Sequence, residues 1–109
     1  MEFEFIEVDI FTKRIQEILD EEEYSELQAA LIRKPDAGAL IPGGKGLRKL
    51  RWSAPAAGKG KRGGIRVIYY LYLKAARIYM IYAFKKTEQE DLSFEQLKRL
   101  ADYGKGSVL

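Results

Sequence analysis

The 109-residue sequence contains neither cysteine nor histidine. Without cysteine, the chain can form no disulfide and no thiolate zinc site. Without histidine, it lacks the side chain that most often transfers protons near neutral pH and most often binds metal ions. Any catalysis must therefore use other side chains, and we expect neither a metal nor another cofactor.

Long apolar segments are missing as well. The first eleven residues, MEFEFIEVDIF, are acidic and lack the basic start and continuous apolar run of a signal peptide. No stretch approaches the ~20 apolar residues that a membrane-spanning helix needs. We therefore expect a cytoplasmic protein that does not associate with membranes.

The length of the chain predicts one domain over residues 1–109, and 47% apolar residues are enough for a hydrophobic core.

Acidic residues are absent from the middle of the chain. Between Pro42 and Lys86 there are twelve lysines and arginines but no aspartate or glutamate. Residues 1–41 carry a net charge of −7 and residues 87–109 carry −2, so the total of +3 conceals a polarised molecule. A concentrated cationic surface attracts polyanions and gains binding energy by counterion release. Nucleic acid is therefore the first partner to expect.

The amino-terminal half is predicted to form a strand and two helices. Aromatic and acidic residues roughly alternate over residues 3–8, which favours a strand with one exposed face. Apolar residues then recur at helical spacing at Phe11, Ile15, Ile18 and Leu19. Asp20 and Glu23 resemble a capping box that opens a second helix with an apolar stripe at Tyr24, Leu27 and Leu31. Pro35 ends this helix.

The remaining residues are predicted to form three strands and a final helix. The strands cover residues 47–53, 65–73 and 77–84, and the last two form the centre of the sheet. Residues 54–64 are rich in glycine and basic residues and predict a mobile hairpin loop. Ser93 is the expected N-cap of the last helix, whose apolar stripe comprises Phe94, Leu97, Leu100 and Ala101. The order β-α-α-β-β-β-α indicates an α+β fold, with a helical hairpin packed on a mainly antiparallel four-stranded sheet.

Five cations are candidates for one binding site. Lys49 and Arg51 lie on the same side of their strand, about 7 Å apart, and Arg66 can reach them across the hairpin. Lys85 and Lys86 end the last strand, and the sheet can bring one of them close. Without a nearby carboxylate these cations repel one another, which suggests an anionic ligand. The alternative is a solvated basic face without a specific ligand.

These residue types permit one particular reaction. Clustering lowers lysine pKa values, so that a lysine can act as an acid or base, while arginine clamps a phosphate. Such a site could catalyse metal-free RNA cleavage, in which the 2′-hydroxyl attacks its own phosphodiester.

The tyrosines in the two strongest strands divide between the faces of the sheet. We predict that Tyr69 is a core residue with a hydrogen-bonded hydroxyl. Tyr70 and Tyr72 share the strand parity of Arg66 and are better placed to stack on an unpaired base.

Three segments, GGKGLRKLRW, GKGKRGGIRVIYYLYL and IYAFKKTEQEDL, together resemble the RelE/ParE superfamily of bacterial toxins, and most closely its HigB-type branch. The most specific part is the LRKLR strand, the basic glycine-rich loop and the GGIRVIYY strand in that order. A K-x-E-x-x-D-L pattern follows at Lys86, Glu88, Asp91 and Leu92. The resemblance extends over nearly the whole chain.

This resemblance implies the toxin of a type II toxin–antitoxin pair, with ribosome-dependent endoribonuclease activity on translated messenger RNA. The implied partners are the ribosome, docked through the decoding site, and a cognate antitoxin with a helix-turn-helix pattern. The implied catalytic residues are Lys49 and Arg51, which orient and activate the scissile phosphate or its 2′-hydroxyl, the phosphate-binding Arg66, and Lys86. Further RNA contacts are expected from Arg48, Lys59, Lys61, Arg62, Tyr70 and Lys85.

The chain also departs from that family. Many relatives carry a tyrosine or histidine where this chain has Leu92, and Tyr103 could replace it only if the last helix folds over the site, which we do not expect. Two other functions stay open: poisoning of DNA gyrase, as by ParE-like members, and a non-catalytic module that binds RNA or protein.

Overall fold

The computed structural model describes residues 2–53 and 64–102 as a sheet with helices on both faces. The elements are β1 (Glu4–Glu7), α1 (Asp9–Ile18), α2 (Glu21–Arg33), β2 (Ala39–Leu40), β3 (Leu47–Trp52), β4 (Ile65–Tyr72), β5 (Arg77–Lys85) and α3 (Phe94–Asp102). A single 3₁₀ turn, Leu73–Ala75, joins β4 to β5. Within these ranges, no helix has the length and apolar character needed to cross a membrane. The predicted loop with Lys59, Lys61 and Arg62 lies outside the described residues.

The strands are arranged in the order β1-β5-β4-β3-β2. All neighbours are antiparallel except β1, which pairs with β5 in parallel. The predicted α+β fold, its element order and the central position of β4 and β5 are therefore confirmed. The four-strand count was too low, because β2 adds a two-residue edge strand in which Ala39 pairs with Lys49 and Leu40 with Arg48. Two residues are too few to show an alternating pattern in the sequence.

The helical hairpin of α1 and α2 covers one face of the sheet, called the hairpin face below. Phe11 and Ile15 of α1, together with Leu27 and Leu31 of α2, are buried and belong to one cluster with Val67 and other sheet residues. The predicted capping box is present at the start of α2. The Glu23 amide donates to Asp20 Oδ1 over 2.7 Å, and the Asp20 amide donates to Glu23 Oε1 over 2.9 Å.

Tyr69 lies at the centre of the core under the hairpin, as predicted, and its side chain is fully buried. Its hydroxyl donates to the Pro35 carbonyl over 2.7 Å and accepts from the Gly38 amide over 2.8 Å. Burial raises the pKa of this hydroxyl, so that it stays a donor. A Cβ at Gly38 would lie only 2.8 Å from Tyr69 Cε1, and the close approach therefore requires glycine. The tyrosine thus fixes the path of the chain from α2 into β2.

The opposite side of the sheet, the α3 face, is covered by α3. The Gln96 amide donates to Ser93 Oγ over 3.1 Å, and the Ser93 amide donates to Gln96 Oε1 over 2.9 Å, which confirms the predicted cap. Leu100 and Ala101 are buried, but Phe94 is 76% exposed, so its predicted place in the apolar stripe is wrong. Phe94 is the first residue of the helix, and burial begins only in the following turns, where α3 meets the sheet.

Candidate nucleic-acid interface

The strand register places three of the four predicted catalytic residues on the α3 face. Arg51 pairs directly with Arg66, and Lys49 pairs with Ile68, which is buried in the cluster that includes Leu100 of α3. Directly opposed residues have Cβ atoms about 4.5–5.5 Å apart and point to the same face. Lys49, Arg51 and Arg66 therefore form one basic cluster on this face.

Arg66 occupies the most enclosed position of the basic cluster. It is 8% exposed and lies on β4 between Arg51 of β3 and Phe84 of β5. Both neighbouring strands are hydrogen-bonded to β4, so the sheet fixes the backbone from which this guanidinium extends. A side chain held this way needs little reorganisation to bind a phosphate, and its forked donors suit two phosphate oxygens.

The two lysines at the end of β5 have different surroundings. Lys85 pairs with Ile65, whose side chain belongs to the core of the hairpin face, so Lys85 lies on the side opposite to the basic cluster. Lys86 follows the last residue of the strand, and its amide donates to the Gly64 carbonyl over 3.4 Å. Its backbone thus lies beside the start of β4, two residues before Arg66, and its side chain is exposed. Of the two lysines, Lys85 is on the opposite face, and a place for the Lys86 side chain beside the basic cluster stays a prediction.

Arg48 and Tyr70 also lie on different faces. Arg48 pairs with Tyr69 on the hairpin face, and its Nη1 donates to the Gly38 carbonyl over 2.7 Å. This contact supports the turn after α2 on the face opposite to the basic cluster, and contact of Arg48 with RNA stays a prediction. Tyr70 pairs with Leu47 on the α3 face, in line with its predicted parity, and its ring is partly exposed. Gly46, at φ +100°, lies against this ring, where a Cβ would approach Tyr70 Cε1 to 2.7 Å.

A carboxylate also reaches the basic cluster, contrary to the expectation that the cations have none nearby. Asp91 Oδ2 accepts a hydrogen bond from Lys49 Nζ over 2.8 Å, and its Oδ1 accepts one from the Leu92 amide over 2.8 Å. The hydrogen bond from Lys49 lowers the pKa of Asp91, and the charge of Arg51 adds to this effect. Counting charges along the chain missed Asp91 because it follows the basic block in sequence but folds back over β3. The K-x-E-x-x-D-L pattern was the available signal.

Residues 86–93, called the post-β5 segment below, are also anchored to α1. Glu88 Oε1 accepts hydrogen bonds from the Lys85 amide over 2.8 Å and from Arg14 Nη2, and these contacts lower the pKa of Glu88. Arg14 Nε donates to the Ala83 carbonyl over 3.0 Å, and its guanidinium lies 5.7 Å from the centre of the Tyr82 ring. The segment that carries Lys86 and Asp91 is therefore held at Glu88 by α1 and at Asp91 by Lys49.

The pairing of Lys49 with Asp91 predicts a specific titration behaviour. The folded protein lowers the pKa of Asp91 from its ordinary value of 3.8. The ion pair therefore stabilises the fold fully at pH values above 3.8, and this stabilisation is lost as the pH falls through the lowered pKa. We expect an NMR titration of the Asp91 carboxyl carbon to show a midpoint below 3.8 in the native chain. In a Lys49→Met variant the midpoint should rise, and an unchanged midpoint would show that Lys49 is not the cause.

Comparison with known proteins gives a match in structure but not in sequence family. No family model matches the chain. A solved structure of the E. coli toxin RelE, a double arginine-to-alanine mutant in the free state, matches with a TM-score of 0.61. The match covers 100% of both chains at 14% sequence identity, and at that identity it shows the fold alone. This chain therefore has the RelE-like α+β fold over its whole length.

Proposed function

We propose that this protein is the toxin of a type II toxin–antitoxin pair and cleaves messenger RNA on the translating ribosome. One observation carries the proposal: Lys49, Arg51 and Arg66 share one sheet face in a chain whose fold matches a RelE toxin over its full length. The HigB-type motifs in the sequence support the same activity.

The proposed reaction needs no group beyond the RNA and basic side chains. The 2′-oxygen attacks the adjacent phosphorus and the bond from phosphorus to the 5′-oxygen breaks, which leaves a 2′,3′-cyclic phosphate and a 5′-hydroxyl. The 2′-proton passes to a lysine amine of the site or to water, and a lysine ammonium or water supplies the proton that the 5′-oxygen gains. Negative charge grows on the non-bridging oxygens in the transition state. Arg66 and Arg51 stabilise this charge through their guanidinium donors, while Lys49 and Lys86 orient the phosphate and the 2′-hydroxyl.

The ribosome supplies positioning that the exposed site lacks. Lys86 and Arg51 are exposed, so an isolated RNA strand would be held loosely. A codon presented in line by the decoding site would remove much of the entropic barrier to the attack. A cognate antitoxin, proposed to be a helix-turn-helix protein, restrains the activity, and an acidic or apolar segment would complement the basic cluster.

Arg51→Ala tests the site in a reconstituted translation reaction, with message ends mapped by primer extension. We expect codon-phased cuts on translating ribosomes only, and a cleavage rate lowered roughly tenfold to a hundredfold in the variant. This loss is smaller than that typical of a preorganised donor, because Arg51 is exposed. Lys74→Ala is the matched control. Lys74 is an exposed cation beyond the far end of β4, roughly 25 Å along the strand from Arg66, and its removal should leave the rate unchanged.

The same assay separates the alternatives. Cuts in naked RNA at the same rate would contradict the role of the ribosome. Folded protein that makes no cuts but traps gyrase on DNA would identify a ParE-like poison. Absence of both activities, with RNA or protein binding retained, would identify a non-catalytic module.

A further inference from the structure

Asp91 occupies the position at Lys49 where the proposed function places an RNA phosphate. Its carboxylate has one negative charge and two acceptor oxygens, as a phosphodiester has, and it accepts directly from Lys49 Nζ. We propose that Asp91 is a specificity-determining residue, which acts as an internal competitor for Lys49 and is displaced when a phosphodiester binds. This inference rests on the proposed function and concerns the same site.

The exposure of Asp91 suits it to displacement from Lys49 by a phosphate. The Asp91 side chain is 59% exposed whereas that of Lys49 is 22% exposed. The carboxylate is therefore the better solvated partner, and water can hydrate it when a phosphate takes its place. An ion pair in such surroundings is weak, because water and salt screen it. A polyanion that also engages Arg51 and Arg66 has more contacts to offer than a single carboxylate.

The post-β5 segment keeps the displaced carboxylate close. Glu88, three residues earlier, stays attached to Arg14 of α1 and to the Lys85 amide. Gln89 Nε2 donates to the Asp91 carbonyl over 2.7 Å and to Gln96 Oε1 over 2.8 Å, which ties the segment to α3. A tethered carboxylate competes at a high effective concentration. Single phosphates are therefore disfavoured relative to an RNA whose several phosphates are presented together.

The test measures the affinity for a fluorescein-labelled RNA hexanucleotide by fluorescence anisotropy. Full 2′-O-methylation of the RNA prevents attack by the 2′-oxygen, so that binding is separated from cleavage. Asp91→Asn removes the charge but keeps an oxygen that can accept from the Leu92 amide. We expect it to tighten binding by up to about fivefold, the factor that corresponds to a solvent-exposed ion pair.

Glu90→Gln is the matched control, because it removes the same charge from an exposed neighbouring position. General electrostatics affects both variants, so we expect this control to change the affinity by less than about twofold. In a Lys49→Met background, Asp91→Asn should change the RNA affinity no more than Glu90→Gln does, because the ammonium for which Asp91 and RNA compete is absent. The coupling between positions 49 and 91 is the quantity that the proposal predicts.

Each outcome has a distinct meaning. If Lys49→Met weakens binding but Asp91→Asn equals Glu90→Gln, the competition is overturned while the basic site stands. Weaker binding by Asp91→Asn would also overturn it and would make Asp91 a positioning residue for Lys49. If Lys49→Met leaves the affinity unchanged, Lys49 does not contact RNA, and the proposed site itself fails.

Discussion

Replacing Arg66 with methionine is expected to lower the rate of ribosome-dependent cleavage by about 10²–10³-fold, the typical loss when one fixed donor to transition-state charge is removed. Arg66 is the most enclosed cation of the basic cluster and is held between two paired strands. Its backbone is fixed by the sheet and its side chain is enclosed, so binding a phosphate needs little rearrangement of the chain. Methionine is chosen because its flexible apolar chain fills a buried position where alanine would leave a void.

Controls must distinguish a loss of catalysis from a loss of folding. Circular dichroism and the thermal midpoint of Arg66→Met establish that the variant is folded before its rate is read. Arg66→Lys keeps the charge but loses the forked donor geometry, and its rate should fall between those of the native chain and Arg66→Met. A folded Arg66→Met protein that cleaves at the native rate would contradict the role assigned to Arg66.

The second large effect is on stability. Truncating Tyr69 to alanine is expected to reduce the free energy of unfolding by about 3–5 kcal/mol, as for other large buried side chains. Tyr69→Phe keeps the ring and isolates the hydroxyl. Because the Gly38 amide and the Pro35 carbonyl lose their partner inside the protein, we expect this variant to cost about 1–3 kcal/mol. Chemical denaturation monitored by circular dichroism gives both values.

Tyr72→Phe is the control for the hydroxyl. Tyr72 lies on the same strand but is only partly buried, so its hydroxyl can reach water, and a change within about 0.5 kcal/mol is expected. Equal losses at both positions would show that the hydrogen bonds of Tyr69 do not hold the α2–β2 connection.

Much of the fold could be predicted because its signals are local. The capping box at Asp20 and Glu23 and the cap at Ser93 and Gln96 each depend on residues three apart, and both are present. Tyr69 was correctly assigned to the core because strand alternation determines the face. Alternation also placed Lys49 and Arg51 on the same side of their strand before any pairing was known.

Errors arose where a residue's environment depends on a distant segment. The sequence did not show that the turn after α2 brings the Gly38 carbonyl to Arg48 on the hairpin face, and contact of Arg48 with RNA stays a prediction. Phe94 fits the apolar stripe of α3, although the helix meets the sheet only beyond its first turn. The last helix packs on the same sheet face as the basic cluster, a placement that its sequence pattern does not specify, while Tyr103 lies outside the described residues.

The sequence by itself determined the polarity of charge, the element order and the parity that puts Lys49 and Arg51 on one side of β3. These properties are set by composition, by helical or strand period and by capping chemistry, all of which act within a few residues. Only the tertiary structure decided that Arg66 lies opposite Arg51, that Lys85 lies on the other face from the cluster, and that Asp91 pairs with Lys49. The strand register and the position of the post-β5 segment over β3 depend on packing between segments far apart in sequence. A strand's pattern specifies its faces but not its neighbours.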